Sequence, residues 1–247
     1  MSDAENPEKP SSPWRLIGRV LTFRFDANDL HGATPRHLAL GLAFAWLAGI
    51  GRYWDNPRAV LLQRLGLGSI AYVLVLTTFL WLLLYPLGPR RWSYLSVMTF
   101  IAAVSPPALL YAVPVERLMP LEDARAANFW FLAVVALWRV ALYCVFLFHY
   151  PDFRGNRLIV ALLLPLVLIV FTLSLLNLER AVFELMAGNS ANPGTSADDA
   201  YFFILLLSFF SLYATPVLLL MYVFGIFQAR KERRAMEGGR QLDPGGQ

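Results

Sequence analysis

At 247 residues, 57% hydrophobic and only 15% charged, the chain is too apolar for a soluble globular domain, and the loops between its apolar runs are too short to hide one. Its net charge of +4 matches the excess Lys and Arg that multi-span proteins carry on cytoplasmic loops, so nucleic acid is not the expected partner. A lone cysteine, Cys144, excludes an intrachain disulfide and sits in an apolar run, where it reads as a small core hydrophobe.

Residues 1–35 read as a cytoplasmic tail. Its first twelve residues are rich in Pro, Ser and charge, the composition of disordered chain. Residues 13–25 differ. Trp14, Ile17 and Leu21, with Leu16, Val20 and Phe23, recur at helical spacing, while Arg15 and Arg19 lie four apart. The pattern predicts a basic amphipathic helix on the cytoplasmic leaflet, with packing beneath the bundle as the alternative. No uninterrupted apolar stretch of signal-peptide length occurs before residue 37, so the first span is expected to double as an uncleaved insertion signal.

Six apolar runs follow, at residues 37–51, 66–87, 93–115, 128–149, 158–178 and 201–228. Each is expected to be a helix, because lipid offers no water to satisfy an open backbone and a barrel strand would alternate. The fold class expected is therefore all-α: a polytopic transmembrane bundle of six spans over residues 36–228. The first run is short for a hydrocarbon core of about 30 Å, so five spans plus a re-entrant or interfacial first helix is the alternative.

Charge counting decides between them. The tails and the second and fourth loops carry fourteen Lys and Arg, against six (Arg52, Arg58, Arg64, Arg117, Arg125 and Arg180) on the opposite side. Six crossings put both basic tails in the cytoplasm, as the positive-inside rule requires; five would split them. Tyr53, Trp54, Tyr85, Trp92, Trp130, Tyr150 and Tyr201 fall at run ends, where amphipathic rings prefer the headgroup zone. Residues 229–247 are expected to form a basic, then Gly-rich, cytoplasmic tail whose Arg230, Lys231, Arg233 and Arg234 attract anionic lipid.

One charge lies inside the runs. Arg139 stands 11 residues after Asn128 and 10 before His149, about 16 Å from either end at about 1.5 Å per residue. A mid-membrane arginine is costly unless it finds a partner, and no acid lies inside another run. The third run offers Ser105, Pro106 and Pro107, where two missing amide donors free the carbonyls of Ala102 and Ala103. A guanidinium carries five donors, so Arg139 is expected to tie to that break. An anion contact is the functional alternative. Asn177, on one face with Ser174 and Glu184, is a further polar candidate near the external surface. Gly41, Ala45 and Gly49 recur every four residues, the small-residue spacing of close helix packing.

The motifs of familiar enzymes do not occur. There is no G-x-S-x-G, H-E-x-x-H or P-loop, and His31, His37 and His149 are scattered at cytoplasmic boundaries. No catalytic, cofactor or metal site is expected. The leading expectation is a non-enzymatic structural, assembly or accessory subunit of a prokaryotic inner membrane, binding lipid and a protein partner or itself. A transporter or channel component for an anionic solute or lipid, using Arg139, is the runner-up.

Overall fold

The computed structural model describes residues 12–53, 60–89, 91–151, 153–176 and 195–241. Among them every regular element is helical. Four helices are long and apolar enough to cross a membrane: Leu67–Leu87, Ala126–His149, Asn156–Leu175 and Leu205–Ala235. A bent pair, Tyr94–Ala103 with Pro106–Ala112, makes a fifth if it is one span. This is a membrane protein with several spans. The first expected span forms a helix, Pro35–Tyr53, but falls outside this set. Arg36, His37 and Arg52 occupy its ends, and Gly41, Gly49 and Gly51 dilute its apolar character.

The chain divides into two compact units, and the division falls within two of the helices. The first unit draws on Met1–Thr78, Ser93–Pro114 and Trp138–Tyr150. Its opening helix α1 (Pro13–Leu21) starts on a proline, whose fixed φ suits a first turn, and buries Leu16, Ile17 and Val20 against α3 (Pro35–Tyr53) and α6 (Tyr94–Ala103). The alternative reading of residues 13–25 thus describes this face better: it packs on helices of the chain, while Trp14 stays 64% exposed with its edge on Phe44. A short helix α2 (Ala27–His31) follows, closed by a reciprocal box in which Asp26 accepts from the Asp29 amide and Asp29 from the Asp26 amide, both at 3.0 Å.

Close backbone approach organises the rest of this unit. A Cβ on Gly41 would stand 2.8 Å from the Ala102 carbonyl carbon, and one on Gly49 2.5 Å from Ser69 Oγ. Only glycine lets α3 lie this close to α6 and to the start of α5 (Leu67–Leu84). Ala45, between them, is buried with Val73 and Ala102. The small-residue stripe is therefore spent on packing within the chain. A ring ladder closes the core: Phe25 to Phe100 at 5.8 Å, Phe100 stacked on Phe146 at 4.2 Å, Phe146 on Tyr150 at 5.1 Å, and Tyr150 beside His31 at 4.7 Å. Such pairs add to burial, since offset stacking places the positive ring edge near a negative face. Phe146 sits on α8 (Leu121–His149), so the ladder fastens the amino-terminal segment to α6 and α8.

The second unit comprises Phe79–Trp92, Val115–Leu137 and Pro151–Gln247. Its main pair is α9 (Asn156–Leu175) and a 47-residue carboxy-terminal helix, α10 (Thr195–Gln241). Pro216 interrupts the hydrogen-bond ladder of α10; just before it, Ser211 Oγ donates to Ser208 O and Thr215 Oγ1 to Ser211 O, each at 2.7 Å. Tyr222 donates to Leu83 O at 2.7 Å, and Arg157 pairs with Glu232 at 2.9 Å. The stretch expected as the basic tail, from residue 229, is helix through Gln241. Its first nine residues are mostly Ala, Arg, Lys, Glu and Met, all strong helix formers, so the basic cluster rides a continuous rod.

Candidate functional site

The intramembrane arginine lies in the first unit, on α8, amid tyrosines. The Arg139 guanidinium carbon stands 5.9 Å from the centre of the Tyr72 ring, on α5. Tyr111, on the 3-10 helix Pro106–Ala112, lies in the electrostatic field of Arg139, Arg52 and Tyr72. Arg52, in the last turn of α3, places its guanidinium carbon 5.5 Å from the Tyr111 ring and 5.7 Å from that of Tyr53. Cation–π attraction of this kind is worth about 0.5–2 kcal/mol per pair, more where water is excluded.

The small residues assemble this cluster. Gly51 leaves no room for a Cβ beside Ala112, which brings the end of α3 onto the end of the 3-10 helix and so Arg52 onto Tyr111. Gly49 seats the same end of α3 on Gly66 and Ser69, fixing the start of α5 that carries Tyr72. Trp46 locks the connection by donating its indole N–H to Leu65 O at 2.8 Å. Tyr72 and Tyr111, like Arg52, therefore sit toward one end of their helices. Tyr72 is five residues into α5, about 8 Å along its axis. Though its register along α8 is central, the Arg139 head group meets residues near one end of the unit, as a long stem that snorkels permits. On the neighbouring position, Trp138 packs on Phe23 at 5.5 Å.

The expected tie to the break in the third run takes a different form. Ser105 is buried, but its own amide donates to Ala102 O at 3.1 Å, and Ala108 N donates to Ser105 O at 2.9 Å. The turn at Pro106 and Pro107 thus satisfies part of itself, with a 41° bend between its halves. Among the described residues Arg139 makes no hydrogen bond or ion pair; its neighbours are aromatic. Asn177 lies outside the described residues. Tyr72, Tyr111 and Arg52 were not singled out from the sequence. The available signal was that an arginine with no acid at its depth has aromatic faces as its next partners, and these three rings and charges fall at the ends of runs on one side.

Chemically, a guanidinium fork beside phenol rings offers N–H donors of the kind that suit an oxyanion. Among the described residues no three His, Cys, Asp or Glu side chains gather as metal ligands. No protein-family model matches the chain, and neither a curated protein nor a solved structure shows significant similarity to it.

Proposed function

We propose that the chain is a non-enzymatic integral membrane protein of six crossings, both termini cytoplasmic, that serves a prokaryotic inner membrane as an assembly or accessory subunit. α3 supplies the sixth crossing in this reading, and the fourteen-to-six charge asymmetry supports the orientation. The observation that carries the role is the outward face of α10. Phe210, Tyr213, Val217, Leu220, Phe224 and Phe227 follow at alternating three- and four-residue steps, each more than half exposed. That is the seam spacing of helices that interdigitate side by side. The opposite face, Ser211, Thr215, Leu218, Gly225 and Ala229, is buried within the unit by small side chains for the most part.

A partner helix, from another protein or a second copy, packs its knobs between these large side chains. Purification in mild detergent tests the role. A stoichiometric protein partner or a stable homo-oligomer is expected, and replacing Leu220 and Phe224 together by Ala should release it. A monomer that carries only lipid and no protein contradicts the role.

A further inference from the structure

We propose that Arg139, flanked by Tyr72 and Tyr111, forms a binding site for the headgroup phosphate of an anionic phospholipid. The inference goes beyond the accessory role and does not depend on it. Its first support is donor count. A guanidinium offers five N–H donors, and among the described residues those of Arg139 meet ring faces rather than an acceptor. A ring face offsets charge but accepts no strong hydrogen bond, so inside an apolar span the group calls for an oxyanion.

The second support is where the cluster lies. Arg52 is next to the last residue of α3, Tyr111 next to the last of the 3-10 helix, and Tyr72 near the first turn of α5. This is the layer in which tyrosines and snorkelling arginines meet headgroups. The third is the surface beside it. Tyr72 is 50% exposed and Val75, one turn along the same face, 69% exposed, so an acyl chain can lie along α5 while its phosphate reaches Arg139. The Arg139 charge favours a headgroup with net negative charge over a zwitterionic one, and its fork suits two phosphate oxygens at once.

Native mass spectrometry of the full chain in mild detergent, supplied with phosphatidylglycerol or phosphatidylcholine, tests this. Wild type should retain phosphatidylglycerol about tenfold more than phosphatidylcholine, and Arg139→Gln should erase that preference, the size expected for losing charge-assisted hydrogen bonds. Arg139→Lys, which keeps the charge and so guards against misfolding, should cost about threefold, and Tyr111→Phe a similar factor. Arg36→Gln, at the far end of α3, should leave retention unchanged. Equal retention of the two lipids by wild type overturns the proposal, as does full retention in both Arg139→Lys and Tyr111→Phe. Displacement of the lipid by millimolar inorganic phosphate would overturn the lipid assignment in favour of a soluble oxyanion.

Discussion

The two units hold their helices together by opposite means. In the first, a four-contact ring ladder from Phe25 to His31 lies deep, glycines let backbones touch, and arginines meet tyrosine faces toward one end. In the second, the middle of the α9–α10 pair is aliphatic and small, and polar contacts cluster toward one end, where Tyr222 reaches Leu83 O and Arg157 meets Glu232. The difference teaches which substitutions each unit tolerates. A core fixed by shape fails when one ring is removed. A pair fastened by exposed polar contacts loses little when one is cut.

The largest effect should come from the ladder. Phe146→Ala removes the ring between Phe100 and Tyr150 and should cost about 3–5 kcal/mol, read as a large fall in detergent melting temperature. A loss below about 1 kcal/mol would erase the contrast between the units. Next, Tyr222→Phe in the second unit deletes one hydrogen bond to a helix-end carbonyl and should cost about 1 kcal/mol by the same measurement. Arg157→Gln should cost less than about 0.5 kcal/mol, because Glu232 is more than half exposed and solvent screens the pair; a larger loss would show that this unit too depends on a polar lock.

A pH test sharpens the first unit further. Burial pushes the Tyr150 hydroxyl above its ordinary value, and hydrogen bonds with Ser96 and the Ser93 backbone only partly oppose this. The folded state then favours the neutral phenol. Its contribution is complete below about pH 10 and is lost as pH rises through the higher folded value. Melting temperature should therefore fall as pH rises above about 10 in wild type, and less steeply in Tyr150→Phe. Identical slopes would remove Tyr150 from the alkaline response.

Much of this fold is legible in the sequence because lipid dictates it. Apolar runs become helices wherever the backbone has no water, so three of the six expected spans recur within three residues of their bounds, the sixth overlaps Leu205–Ala235, and the Pro106–Pro107 break bends the third. Gly41 and Gly49 signalled close packing, although the sequence alone did not say against what; Ala102 and Ser69 are the answer. The site was less legible. Arg139 was plain as a lone charge, but its partners Tyr72 and Tyr111 looked like ordinary residues near span ends. A ring becomes a partner only when three helices converge, which periodicity along one chain does not encode. The run of Ala229, Arg230 and Lys231 into Glu232 was legible as a basic tail but not as helix; helix propensity and the Arg157 contact extend α10 through it.

The claim that the outward face of α10 is an association surface meets its most direct test in native membranes. A benzophenone side chain is placed singly at Leu220, which is 73% exposed, or at Leu218, which is 6% exposed, and irradiated, so that cross-linking needs no thiol on the partner. A discrete cross-linked species, a dimer or one defined heterologous adduct, is expected from position 220 and none from position 218. A chain that stays monomeric at both positions would contradict it.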